Sequence, residues 1–281
     1  MLFGFPRETG DRESAFHSAR RGKDADISEI SAARVDTLCE AGKYAEVILI
    51  KESGKTGGSD MKTKLCRYAL RKVSKEFSVT ENEIGSDQHL SRYGMNFATH
   101  SYEIEDIGHL CVMTMKAFWG LMTMETVVIS PVERDLPLFN IDRVSAFGKE
   151  TLLIEIYDTQ IEPLAADIQE SFSALLERDS AVSDVESKPH WYDEIRYPFS
   201  YGKAGKGLSQ QFERAQKDYL GTFLKALKNA PTCDREVKLE KNREFAEKLV
   251  ANDGPAVNTM RSLFGEETMK RVVLGHMYGV G

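Results

Sequence analysis

The chain has 281 residues, 41% of them hydrophobic and 29% charged, with a formal net charge of −7. That composition is ordinary for a folded globular protein, and its acidity argues against general nucleic-acid binding. No apolar run approaches the length of a membrane span, and four scattered cysteines without a CxxC pair suggest neither a zinc knuckle nor a disulfide framework, which leaves a reducing cytoplasm as the expected compartment.

The first sixty residues read as an N-terminal extension. Residues 1–24 are polar and rich in Arg and Gly, and no long apolar core follows a basic start, so no secretory signal is expected. Asp26-Ile27-Ser28-Glu29 has the spacing of a capping box and predicts a helix to Glu40, with Gly42 as its stop. Tyr44–Ile50 predicts a strand. Gly54-Lys55-Thr56 resembles part of a phosphate loop, but that motif requires Gly where Leu49 stands, so a flexible loop is expected.

Met61–Phe77 places Leu65, Tyr68, Ala69, Leu70 and Val73 at helical spacing, with Lys and Arg on the other face. That face could meet an acidic partner, as could Lys203 and Lys206 further on. Residues 78–101 read as irregular. From Tyr102 to Tyr157 the texture changes to strands, YEIED, HLCVMTMKAF, TMETVVIS, DRVSAFG and TLLIEIYD, with connections too short for crossover helices. Such spacing predicts an antiparallel meander containing 110–118, 122–129 and 151–157. With helices predicted on either side in sequence, the fold class is α+β, a three-layer α/β/α sandwich with a central antiparallel sheet. Met113 and Met115, with Met122 and Met124, fall in this region, where methionine either fills a core or packs adaptably on a flat aromatic ligand. Glu162–Arg178 predicts a helix, 179–207 a long connection, and Leu208–Lys228, Arg235–Val250, the segment to Phe264 and Glu266–Tyr278 further helices.

The stretch ETVVISPVERDLPLFNID, Glu125 to Asp142, draws most attention. Asp142 follows Leu136, Leu138, Phe139 and Ile141. A carboxyl among such neighbours is either a turn cap or a partly desolvated acid whose raised pKa suits proton donation.

These residues resemble the signature of the ferredoxin-dependent bilin reductases, in which an apolar strand ending in Pro leads to Leu-Pro, Phe and an Asp three residues after the Phe. The matching positions are Pro131, Leu136, Pro137, Phe139 and Asp142. A loop with Pro189, Trp191, Asp193, Glu194 and Ile195 is similar to that family's Pro-Trp loop. The C-terminal stretch with Asn252-Asp253, Phe264-Gly265 and Val272-Val273 resembles its C-terminus. Together the matches span about residues 61–281, taken as one bilin-reductase-like domain. The chain departs from the pattern at Thr126, where many members carry His, and at Gly254, where a basic residue is usual.

The resemblance implies reduction of a linear tetrapyrrole of the biliverdin type, with electrons from reduced ferredoxin or flavodoxin and no resident cofactor. Radical intermediates would be quenched by side-chain protons. It implies Asp142 as first proton donor and Asp253 as second, with Glu125 in place of the missing His. Thr126, Pro137, Phe139, Asn252, Trp191, Met113 and Met115 would bind substrate, and no residue would hold a metal. The implied protein is a cytoplasmic monomer without nucleic-acid or membrane partners. The alternatives are an activity like that of red chlorophyll catabolite reductase and a tetrapyrrole carrier that has lost the chemistry.

Overall fold

A computed structural model describes residues 64–186, 189–252 and 254–281. The expected helix at 26–40, the strand at 44–50, the loop at 51–60 and Asp253 lie outside the described residues.

The centre is an eight-stranded antiparallel sheet. Its strands are β1 (Val79–Glu81), β2 (His89–Arg92), β3 (Met95–Ile104), β4 (Gly108–Ala117), β5 (Met122–Pro131), β6 (Leu138–Ala146), β7 (Lys149–Tyr157) and β8 (Tyr201–Gly205). From β3 to β8 each strand pairs with the next, and both β1 and β2 pair with β3. The expected meander is present, with the short connections that force antiparallel pairing. Two stretches correct the sequence reading. Residues 78–101, read as irregular, hold β1, β2 and the first half of β3, and the long connection 179–207 holds β8, paired to β7 through Glu150–Ile154. In β3 the polar residues Thr99, His100 and Ser101 interrupt the apolar alternation, and Thr99 and Ser101 are buried, so sequence pattern alone concealed the strand.

Strand periodicity of two gives each residue a face. On the first face Leu110, Val112, Val127, Ile129, Phe139, Ile141, Leu152, Ile154 and Ile156 pack against helices α1 (Lys64–Glu76), α2 (Ala166–Arg178) and α3 (Ser209–Asn229). The second face carries Phe97, Cys111, Met113, Met115, Met124, Val128, Leu138 and Tyr157. It packs against α4 (Arg235–Ala251), α5 (Pro255–Phe264) and α6 (Glu266–Lys270), which runs into a π-helical turn over Arg271–Met277. Helices therefore cover both faces of one antiparallel sheet.

Two features fix α4 and the C-terminus on the second face. Lys238, fully buried on α4, donates to Thr159 Oγ1 (3.1 Å) and Asn242 Oδ1 (2.9 Å), while Asn242 Nδ2 donates to the Pro131 carbonyl (2.9 Å). Gly279, at φ 69°, lies so close to His109 that a Cβ there would fall 2.5 Å from its ring. This approach lets His109 donate from Nε2 to the His276 carbonyl at 2.8 Å and seats Tyr278 on the sheet.

Candidate active site

The second face carries a polar island in an apolar layer. Strand register sets it: Met113 lies opposite Thr126, Thr126 opposite Asp142, and Asp142 opposite Leu153. One row along, Val128 lies opposite Asn140, and Asn140 opposite Glu155. Asp142 thus sits within β6, with Thr126 beside it and Asn140 two residues earlier on the same side. It is not a turn cap, and Phe139 and Ile141 point to the opposite face.

The Asp142 carboxylate is held at both oxygens. Thr126 Oγ1 donates to Oδ1 at 2.5 Å, and Asn140 Nδ2 donates to Oδ2 at 2.7 Å. Burial pushes its pKa from 3.8 up to about 6, the two hydrogen bonds pull it down, and the charge of Glu155 adds to the rise. Desolvation outweighs both donors, because a carboxylate loses more on leaving water than two neutral donors return. The residue is half-buried in this layer.

Glu155 is buried and its Oε1 accepts from Arg196 Nη1 at 3.0 Å, with Arg196 also bound to Asp193. Tyr157, Tyr192 and Tyr278 are buried in the same layer. The hydroxyl of Tyr278 is held well above its ordinary pKa by burial first, then by the charges of Asp142 and Glu155, so it stays a neutral donor. Trp191 lies in a short 3-10 turn, Trp191–Glu194, with its ring 5.7 Å from that of Phe245 on α4.

Thr99 Oγ1, Ser130 Oγ, Asn140 Oδ1 and Trp191 Nε1 are buried without a hydrogen-bond partner. All belong to the layer between the sheet and α4–α6. Native proteins rarely leave buried polar atoms unsatisfied, and a group of them on one face suits a ligand that carries both donors and acceptors. An open cleft of about 340 Å³, between α2 and α3, is lined by Leu136, Leu164, Ile168 and Ala226 and contains no residue of the island.

The expected site residues divide by face. Asp142, Thr126, Met113, Met115 and Trp191 share the second layer. Glu125 does not: it points to the first face, where its Oε1 accepts from the backbone N–H of Leu65 (2.9 Å) and Cys66 (3.4 Å). A carboxylate at a helix N-terminus meets orphan N–H groups and the positive end of the helix dipole, so Glu125 caps α1 and cannot stand in for a His beside Asp142. Phe139 is likewise on the first face, stacked on Phe223 of α3 at 4.5 Å. Pro137 is buried just before β6, and Asn252 is exposed at the end of α4, its Nδ2 donating to the Lys248 carbonyl at 2.8 Å. Lys203, expected to face a partner, is buried and donates to Asp184 Oδ1 at 2.7 Å.

Asn140, Glu155 and Tyr278 escaped the sequence reading. Glu155 had a signal: a lone carboxylate in the apolar run LLIEIY. Among the described residues no group of three or more His, Cys, Asp or Glu side chains is placed to hold a metal ion.

No family model and no curated protein matches the sequence. Among solved structures, phytochromobilin synthase from tomato, in complex with biliverdin, matches with a TM-score of 0.64 at 14% identity, over 77% of this chain and 82% of that one. The two chains share a fold.

Proposed function

We propose that the protein reduces a linear tetrapyrrole of the biliverdin class, taking electrons from reduced ferredoxin and protons from its own carboxylates. The observation that carries the reading is Asp142: a carboxyl with a pKa near 6, anchored by Thr126 and Asn140, on the methionine-rich face of a fold shared with a biliverdin-bound structure.

The pigment would lie between the second face and α4–α5. Met113, Met115 and Met124 form an adaptable floor, since unbranched thioethers reshape around a flat conjugated system. The unpartnered Thr99, Ser130 and Trp191 atoms offer hydrogen bonds to its pyrrole nitrogens and lactam oxygens.

Reduction of one double bond consumes two electrons and two protons. The first electron gives a substrate radical that becomes more basic, and Asp142 protonates it. The resulting carboxylate is stabilised by the Thr126 and Asn140 donors already in place, so little reorganisation accompanies the transfer. Solvent then reprotonates Asp142. Asp253 is proposed as donor of the later proton. Tyr278 remains neutral and helps exclude water.

The test is an anaerobic reaction of the full chain with biliverdin and reduced ferredoxin, followed by absorption and electron spin resonance. Asp142→Asn is expected to bind pigment as the wild type does yet stall after one electron, with a persistent radical and a rate loss of about a hundredfold. Turnover of Asp142→Asn at the wild-type rate removes Asp142 from the chemistry. Pigment binding without any reduction by the wild type makes the protein a carrier.

A further inference from the structure

Among the described residues, four of the five exposed large apolar side chains gather at one end of the sheet; the fifth, Val237, is in the first turn of α4. Tyr93, Trp119, Leu121 and Phe147 are exposed, Trp119 by 91%. They occupy three hairpin turns: β2–β3, β4–β5 and β6–β7. The register brings these turns together, since Asn96 pairs with Lys116, Ala117 with Met122, Met122 with Ala146, and Ala146 with Lys149.

The backbone at these tips is unusual. Tyr93, Phe118, Trp119 and Phe147 all have positive φ, between 49° and 55°, each turn closing with a glycine: Gly94, Gly120 and Gly148. Tyr93-Gly94 and Phe147-Gly148 are two-residue turns with both φ positive, a geometry that Asn-Gly or Asp-Gly satisfies best. A bulky aromatic in the left-handed region is strained. Folding alone therefore favours Asn at these positions, and a ring is kept where it projects into solvent and contributes little to the core.

The unpaired charge on these turns is positive. Lys116 and Lys149 flank the aromatic turns, and Lys206 lies in the turn after β8, whose Gly205 pairs with Glu150. Among the described residues none of these lysines makes an ion pair. Glu150 is the one carboxylate on residues 92–95, 116–123, 146–150 and 205–209, and Arg143 neutralises it at 2.6 Å. This contrasts with a chain whose net charge is −7.

We propose that this end of the sheet is a membrane-contact surface, on which Tyr93, Trp119, Leu121 and Phe147 enter the interface of an anionic lipid bilayer while Lys116, Lys149 and Lys206 meet its headgroups. Aromatic rings beside lysines at one level is the composition of the lipid–water boundary. The β4–β5 and β6–β7 tips are joined, Phe147 N–H donating to the Leu121 carbonyl at 3.1 Å and the Phe147 ring lying 6.3 Å from that of Phe118, and Arg92 lies over the Tyr93 ring at 5.0 Å, so the end presents rings with basic groups beside them. Among the described residues no helix is long and apolar enough to cross a membrane, so the contact is peripheral.

The experiment is co-sedimentation of the full chain with vesicles of phosphatidylglycerol and phosphatidylcholine in equal parts, against phosphatidylcholine alone. Binding is expected to the anionic vesicles, weaker by about tenfold or more on neutral vesicles or in molar salt. It should come with a blue shift of tryptophan emission. The double variant Trp119→Asn/Phe147→Asn relieves two strained turns. It should keep or raise the thermal midpoint while losing anionic-vesicle binding by about tenfold or more. Absence of wild-type binding overturns the proposal. So does a double variant that binds vesicles as tightly as wild type, which would leave charge alone. Concentration-dependent dimerisation abolished by the same variant, without vesicle binding, would assign the surface to a second copy of the chain.

Discussion

The Asp142 site should cost the protein stability, and Asp142→Asn should recover it. Burial raises this carboxyl from 3.8 to about 6. At pH below about 4 it is protonated in both the folded and the unfolded chain and contributes no difference. Between 4 and 6 the folded state holds a proton that the unfolded state has lost, so stability falls as pH rises. Above 6 both forms are ionised and the full penalty of about 3 kcal/mol is present. Asparagine has the same shape and no charge. Its carbonyl can still accept from Thr126, and its amide can donate to Asn140 Oδ1, now unpartnered, once the Asn140 amide turns over. The substitution should therefore stabilise the fold at pH 8 by as much as about 3 kcal/mol and by nothing at pH 4. For a domain of this size each kcal/mol moves the melting midpoint by roughly 2–4 °C, so the ceiling is on the order of 10 °C. Thermal or urea unfolding of both proteins from pH 4 to 8 measures the gap, and other carboxylates cancel in the difference. A gap that does not grow between pH 4 and 6, or a variant less stable at pH 8, would refute the desolvated-acid account. An acid kept at a stability cost is also what a proton donor requires.

Two further outcomes follow from named contacts. Thr126→Val keeps the shape of the side chain but removes a donor to the ionised Asp142, so the carboxyl should move up from about 6 by roughly one to two pH units. The protonated-carboxyl infrared band should then persist to higher pH, and the limb of the rate profile that needs the acid protonated should shift the same way. An unmoved band would mean that the 2.5 Å contact does not hold the carboxylate in solution. Glu125→Ala removes the cap from the first turn of α1 and should lower stability by about 1 kcal/mol in urea unfolding. Pigment reduction should stay at the wild-type rate, and a large loss of turnover would return Glu125 to the chemistry.

The central meander was legible in the chain because it depends on local signals. Apolar strand-like runs at 110–118, 122–129 and 151–157, separated by connections too short for a crossover, leave antiparallel pairing as the available arrangement. The helix Ser209–Asn229 was equally plain from its apolar stripe, whereas α4 buries Lys238 and Asn242 beside Phe245 and carries little stripe. β8 and the β1–β2 edge were not legible, because short strands take their order from the neighbour they pair with and carry little pattern of their own.

The site was legible as residue types and illegible as an arrangement. Asp142 drew attention through its apolar neighbours in sequence, yet Phe139 and Ile141 lie on the far side of the sheet and its donors are Thr126 and Asn140. Glu125 adjoins Thr126 in sequence but faces the other layer and caps a helix. A strand sends successive side chains to opposite faces, so sequence neighbours are separated by the sheet, while Thr126 and Asp142, sixteen residues apart, touch. Register is set by pairing across the whole sheet, and with it the choice of which carboxylate is desolvated and which is satisfied. That choice belongs to the tertiary structure alone, because burial and hydrogen-bond partners are properties of the packed layers.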